Sequence, residues 1–441
     1  MRSIKLLGTV ALAGLAAMAL TGTASARVAL DPGFSGDGWL TTWVAQSSSG
    51  ARQVVRTPGG YIYTYGVANF NTGTVRVDDT VVNRYLHDGT PDPNWDGNGS
   101  AYGGSDVLGF GPQAGGMVVN SDLSVTTAAS NAGDGKVILE RFDRNGGRVW
   151  AKPVTLTGGA RPFVQGLVRD SAGRLLVGGY VDEPSGRREL FVIRFDANGN
   201  PDSRFGNHAL GAGTTTFAIY RNNVLTEATA LSIAIDNSDR VLLGGYYVDP
   251  NSPTVFAFVE RFSTGGAPET FRPLTWSSGT ATAGYAGVTA IAVNADGRVA
   301  VAAQTLFGTT GSAAVARLTP DLALDNEFDG DGRKLLSFGG VGSTLATVAW
   351  GPHSWIYAGG TTWNSATSGD GKFALARLRY NGDYDATFDD DGKIVTPIPG
   401  ATRAGIQSLV VSPTNDLPIV AGSAYVAGAT QIAVARYADV P

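Results

Sequence analysis

Residues 166–180, GLVRDSAGRLLVGGY, and residues 191–205, FVIRFDANGNPDSRF, carry the pattern that organises the whole chain. Apolar and polar residues alternate on both sides of Asp170-Ser171-Ala172-Gly173, as in two strands joined by a tight turn, because successive strand side chains point to opposite faces. The second strand ends in Gly178-Gly179, a third ends in Arg194-Phe195, and a turn rich in Asp, Asn and Gly closes on Phe205. The same features return as LSIAIDNSDRVLLGGYY at 231–247 with FAFVERF at 256–262, and as AIAVNADGRVAVAA at 290–303 with AVARLTPDLALDNEF at 314–328. They return again as VAWGPHSWIYAGG at 348–360 with FALARLRYNGDYDATF at 373–388.

Two anchors set the period. The arginine ending the third strand falls at Arg84, Arg141, Arg194, Arg261, Arg317, Arg377 and Arg436, a mean spacing of about 59 residues. The aromatic closing the following turn falls at Phe34, Trp95, Trp150, Phe205, Phe271, Phe328 and Phe388. The first aromatic has no arginine strand before it and the last arginine strand has no aromatic after it, so the N-terminal segment completes the C-terminal unit. No 3.6-residue periodicity occurs beyond the first 26 residues, so the chain reads as all-β. Four strands per unit and a unit split between the termini predict a seven-bladed β-propeller of four-stranded blades. An N-terminal strand would close the ring, with GWLTTWV (38–44) as the outer strand beside QIAVARY (431–437).

Composition agrees with a globular chain: 43% of residues are hydrophobic and only 16% charged, too little charge for a disordered chain or a coiled-coil rod. The 61 glycines follow no G-X-Y period, which excludes collagen and implies many turns. Residues 1–26 have a basic start (Arg2, Lys5), an apolar run from Leu6 to Leu20 and Ala24-Ser25-Ala26, the marks of a signal peptide cleaved before Arg27. Residues 27–441 then form a single propeller domain of seven repeats, expected to be a monomer with no membrane span. Losing Arg2 and Lys5 would take the formal net charge from −5 to −7, and no basic cluster marks a nucleic-acid partner. The chain has no cysteine, so neither disulfides nor a lipid-bearing cysteine are available. These features fit a bacterial exported protein of the periplasm, the medium or the cell surface.

The composite LDPGFSGDG (30–38), the turns Asp296-Gly297-Arg298 and Asp391-Gly392-Lys393, and FALARLRYNGDYDATFDDDGKI (373–394) resemble the delta-60 repeat family. The resemblance spans residues 30–437 and implies a β-propeller-like bacterial exported protein built of tandem units. It carries no agreed catalytic residues. The second unit departs furthest, since LSVTTAAS (123–130) lacks the Gly-Gly and its aromatic is Trp150.

Chemical motifs are sparse. The three histidines, His87, His208 and His353, fall on connections of three separate units, a poor setting for a nucleophile–base pair or a zinc site. Acid-rich turns such as DPNWDGNGS (92–100), with Asp92, Asn94, Asp96 and Asn98, imitate the start of a calcium loop, as do DNEFDGDG (325–332) and DATFDDDG (385–392). The twelfth position of the first is Gly103 rather than a bidentate Glu, and the same turns in other copies, such as PGFSGDG or SRFGNHA, have too few carboxylates. Asp, Asn and Gly are therefore read as turn formers, leaving room only for weak structural calcium; no catalytic, cofactor-binding or metal-ligating residue is assigned. DRNGGRVW (143–150) imitates a repeat of quinone-dependent propeller dehydrogenases but occurs once. The Gly-Gly pairs read as sites of close strand approach. The recurrent arginine reads as structural, bonded to a turn carbonyl or a carboxylate of a neighbouring blade.

In such a unit the loops between the second and third strands, and between one unit and the next, are long and unlike one another, and variable loops on a rigid frame are where recognition resides. Phe70, Tyr180, Asp182, Tyr247, Phe307, Trp363 and Tyr425 sit on that side, together with Glu183, Asp249 and Asn364. An aromatic and polar rim predicts a non-enzymatic scaffold that binds a protein partner or a surface glycan. The alternative is a metal-dependent hydrolase or lactonase with a carboxylate-held cation in the central channel. Its mark would be acids on the first strands, which instead read VQGLVRD, LSIAIDN, VTAIAVN and LATVAWG.

Overall fold

Alternating apolar residues punctuated by glycine turns give strands throughout, apart from short 3₁₀ turns such as Thr157–Gly159 and Pro352–Ser354. The computed structural model describes residues 27–440 except 45–47, 72–75, 104–111, 222–223, 279–280, 366–368, 413–416 and the single residues 132, 250, 253 and 309. The proposed signal segment, 1–26, lies outside the described residues.

The chain is all-β and propeller-like. Successive antiparallel meanders of four strands start from the inner strands Ser49–Arg56, Gln113–Val119, Arg161–Arg169, Ala228–Ile235, Tyr285–Val293 and Gly342–Trp350. The last meander supplies three strands of its own, Ala401–Val411, Pro418–Val426 and Ala429–Val440. Its fourth comes from the other end of the chain: Trp39–Thr42 runs antiparallel to Ile432–Ala435, beside the segment where the sequence placed it. A further strand not foreseen from the sequence, Arg27–Leu30, pairs with the end of the same long strand, Tyr437 to Val440.

The core lies between sheets rather than inside any one of them. Leu190 and Val192 of the third unit pack with Ile233, Leu243 and Phe258 of the fourth. Ala51, Val54 and Ile62 of the first unit pack with Ile419, Ala421 and Val434 of the last.

Every inner strand carries a β-bulge, an extra residue that breaks the pairing register, at Arg52, Gly115, Gln165, Leu231, Thr289, Ala346 and Gln407. The bulge explains the glycine after it. A methyl group on Gly66, Gly179, Gly245, Gly360 or Gly422 would fall 1.8–2.0 Å from the carbonyl oxygen two residues before the bulge. The preceding glycine is crowded by the next unit: a methyl on Gly244 would lie 2.5 Å from Val288. The residue following the bulge reaches across to the next inner strand. Gln53 bonds both backbone groups of Met117 (2.6 and 3.0 Å), while Ser232 accepts from Ile291 N–H and Thr347 from Leu409 N–H. Ser408 of the last unit accepts from Val54 N–H of the first at 3.1 Å.

The recurrent arginine is a second inter-unit connector. It pairs with an acid of its own unit: Arg84 with Asp92 (2.7 Å), Arg194 with Asp202 (3.1 Å), Arg261 with Glu269 (3.3 Å), Arg317 with Asp325 and Arg377 with Asp385 (both 2.8 Å). One Nη1–H donates to a turn carbonyl of the next unit, from Arg84 to Arg144, Arg194 to Thr264, Arg261 to Pro320 and Arg317 to Tyr380. Arg436, the last of the series, pairs with Asp31 at 2.7 Å and donates to the carbonyl of His87. The guanidinium also covers the aromatic anchor, with centroid distances of 4.9 Å to Trp95, 4.6 Å to Phe205, 4.8 Å to Phe388 and 5.1 Å to Phe34.

Two anchors differ from the expected pattern. Trp150 and Phe271 lie in the fourth strand, paired with Arg141 and Glu260, and do not close a turn. The cause is local: the turns Asp143–Gly147 and Ser263–Ala267 are too short to hold a buried ring. Arg141 correspondingly bonds Ser124 (2.8 Å) instead of stacking on its anchor.

Candidate functional site

The bulges bring together residues that strict alternation would scatter. All seven bulge residues fall along one central channel of about 510 Å³, with the polar groups Gln53, Ser232, Gln304 and Ser408 beside them. The described lining holds no aspartate or glutamate and a single cation, Arg52. The channel meets a mouth cavity of about 490 Å³, where Arg52 appears again beside Gln113, Gln165, Gln407 and Ser423. This mouth lies at the start of the inner strands and the end of the second ones, so it opens on the side of the variable loops.

Arg52 reaches this position because its neighbour in the bulge series, Gly115, has no side chain. Nε donates to Gly115 O at 3.3 Å, and Nη2 donates to Gln165 O at 3.2 Å and to Gln165 Oε1 at 2.6 Å. Nη1 has no acceptor, and no carboxylate pairs with the guanidinium, among the described residues. Burial pulls the guanidinium below its ordinary value, the sign of a cation short of solvation.

The rim residues fall into several groups. Tyr180 and Asp182 are brought together through Arg188, which lies over the Tyr180 ring at 4.7 Å and pairs with Asp182 at 2.7 Å. Behind them Phe163 stacks on Tyr180, centroids 4.7 Å apart and planes within 8°. On the next unit Tyr246 stands 5.6 Å from Tyr285. These four half-buried rings continue along one side of the third to fifth units, and three of them, Phe163, Tyr246 and Tyr285, were not singled out from the sequence. Their signal was the strand end itself: Tyr180 and Tyr246 both directly follow the Gly-Gly pair.

Tyr247 is a correction. It is 3% exposed and packed among Phe256, Phe258 and Phe271, so it belongs to the core and not to a ligand face. The alternation explains this, since Tyr246 and Tyr247 point to opposite faces of the strand and only the first faces outward. Trp363 is half-buried over Gly342 and Gly311, Phe307 packs against the core of the fourth and fifth units, and Tyr425 lies under Arg403 at 4.9 Å. Tyr425 also lines a smaller cavity of about 200 Å³ with Gln407, Ser423 and Thr430. Phe70 is paired with Val77 near the end of its strand, and its side chain lies outside the described residues.

The remaining motifs are absorbed by turns. Asp92, Asp325 and Asp385 each accept a turn amide two residues on and face an arginine. His208 and His353 sit at positive φ, 59° and 60°, on their connections. No group of three or more His, Asp and Glu with metal-binding geometry occurs among the described residues. No helix of the described chain is long and apolar enough to cross a membrane.

An all-β, propeller-like protein is thus defined by its repeated four-stranded sheets, and comparison with known proteins gives the same class. Residues 173–205 and 295–328 match the model of a domain of unknown function, the DUF5122 β-propeller. Among solved structures, the chain resembles the α-L-arabinofuranosidase Arb93A from Fusarium graminearum, with 13% identity and a TM-score of 0.46, covering 73% of this chain and 92% of that one. It also resembles Sqt1 from Chaetomium thermophilum, with 10% identity and a TM-score of 0.45, covering 90% and 97%. The β-propeller domain of the Trilobed protease from Pyrococcus furiosus gives 9% identity, a TM-score of 0.43 and coverage of 88% and 95%. No curated protein matches.

Proposed function

We propose that this protein is an exported, seven-bladed propeller, closed by its N-terminal strand, that acts by binding a glycan through its variable-loop face rather than by catalysis. Closure is supported by three last-to-first links: Ser408 to Val54, Arg436 to His87, and the shared apolar cluster. The observation that carries the binding role is the row of half-buried rings Phe163, Tyr180, Tyr246 and Tyr285, edged by the Arg188–Asp182 pair. Flat apolar faces beside fixed charges suit the C–H faces and hydroxyls of sugars. The hydrolase alternative needs carboxylates in the channel, where the described lining offers Arg52 and amides.

The test is binding of the purified protein to an immobilised glycan set, compared with the double variant Tyr180→Ala/Tyr246→Ala. Loss of the wild-type signals, with an unchanged thermal midpoint, is the expected result. Signals that survive the double substitution would remove the aromatic row from the binding surface.

A further inference from the structure

We infer that the channel mouth is a binding site for a carboxylate-bearing sugar, a uronate unit, whose carboxylate pairs with Arg52 and whose hydroxyls face the amide and hydroxyl lining. The inference goes beyond the loop-face reading and does not depend on it, because the described lining of this cavity holds no aromatic residue.

Four features of the site converge on that ligand. First, Arg52 is partly buried and has only neutral protein partners, two backbone carbonyls and one amide oxygen, so no carboxylate of the described lining offsets its charge. Those partners hold Nε and Nη2 in place and leave Nη1 for an incoming acceptor, so the donor is already oriented. Second, the described lining carries a single charge. One guanidinium balances a monoanionic carboxylate, whereas a phosphate of nearly two negative charges ordinarily collects several cations or a row of amides. Third, the lining is rich in groups that both donate and accept, including Ser49, Asn69, Gln113, Gln165, Gln407 and Thr430. Such groups match sugar hydroxyls, which also do both. Fourth, the volume of about 490 Å³ lies within the range of small-molecule sites and admits a monosaccharide with bound water. The bulge series is also asymmetric: opposite this amide-rich quarter the corresponding residues are the shorter or apolar Leu231, Thr289 and Ala346, with no amide or charge among them. The ligand is therefore held at one side of the mouth and not on the channel axis.

The experiment is calorimetric titration of the purified protein with galacturonate, galactose, inorganic phosphate and a galacturonate trimer. Galacturonate is expected to bind saturably and galactose not to bind. A trimer that binds more tightly than the monomer assigns the site to the end of a polysaccharide, and equal affinities assign it to the free acid. Arg52→Gln is expected to weaken galacturonate binding by about tenfold or more, the usual scale for a lost charge-assisted hydrogen bond. Arg52→Lys, which keeps the charge but not the fork, is expected to retain part of it. Should Arg52→Gln fold poorly, Gln407→Glu gives a second reading, since a carboxylate on the same lining would compete for the guanidinium. The Tyr180→Ala/Tyr246→Ala protein should bind galacturonate as the wild type does, so failure of the loop-face reading is separable from failure here. Absence of galacturonate binding, binding unchanged by both Arg52→Gln and Gln407→Glu, or a preference for phosphate would each overturn the assignment.

Discussion

Glu260 is a carboxyl whose burial is poorly compensated. It is 1% exposed, Oε2 has no partner among the described residues, and Arg261 beside it pairs with Glu269 instead. Burial pushes its carboxyl up to about 8, from an ordinary 4.5. A carboxyl raised on folding contributes fully below its unfolded value, and that contribution is lost as pH rises through the folded one. The protein is therefore expected to lose stability between pH 5 and pH 9, and Glu260→Gln to flatten that loss. Thermal midpoints should be similar for the two proteins at pH 5, with the variant higher by several degrees at pH 9. Parallel curves across that range would show that Glu260 is ionised without penalty. Arg317 shows the opposite solution to the same problem. It is fully buried, but Asp325, a backbone carbonyl and two aromatic rings occupy its surroundings.

At the scale of the strand, the bulge is the device that ties the repeat together. It pushes a carbonyl toward the neighbouring strand, where five units carry glycine and two carry alanine, Ala129 and Ala303, and it turns the bulge residue of each unit toward the channel. Gly245→Ala is accordingly expected to cost about 2–4 kcal/mol, since the methyl would fall 1.8 Å from the Thr229 carbonyl oxygen and this strand pair must shift to the spacing that Ala303 has in the next unit. Ala303→Gly, at the matching position of the next unit, should cost less than about 1 kcal/mol. Denaturant midpoints would compare the two, and a Gly245→Ala midpoint equal to wild type would mean that the bulge relaxes freely. The same device explains what the sequence could and could not reveal. Arginine, acid and aromatic recur at one spacing because each unit needs the same junction, so their structural role was legible. The channel was not, because in ARQVV or VQGLV nothing marks which residue is the extra one, and the parity of alternation flips across it. Arg52 also occurs in one unit of seven, so repetition could not single it out. Tyr247 was misplaced for a related reason, since in Gly245-Tyr246-Tyr247 one residue of shift exchanges core for surface.

For the molecule as a whole, stability rests on junctions between sheets, and the one between first and last units is made by the two ends of the chain. Removing residues 27–44 deletes Asp31 beneath Arg436, the buried Phe34 and both strands that pair with the last one, Trp39–Thr42 along Ile432–Ala435 and Arg27–Leu30 along Tyr437–Val440. The shortened protein is expected to self-associate through that uncovered edge. Light scattering after size exclusion would detect this, and a monodisperse monomer with wild-type cooperativity would show that the end strands are dispensable.

The pairing of Trp39–Thr42 with Ile432–Ala435 also carries a meaning in time. A chain is synthesised from its N-terminus, so Trp39–Thr42 must wait for Ile432–Ala435, about 390 residues later, before it finds its partner. Intermediate units can stack as they emerge, each on the one before, but the final junction closes across almost the entire length of the chain, and contacts of such long separation form slowly. Until that moment the Trp39–Thr42 strand and the edge it will cover are both unprotected. A product that stops short of Ile432–Ala435 is therefore expected to carry an open, adhesive edge, which synthesis of that segment allows to be covered.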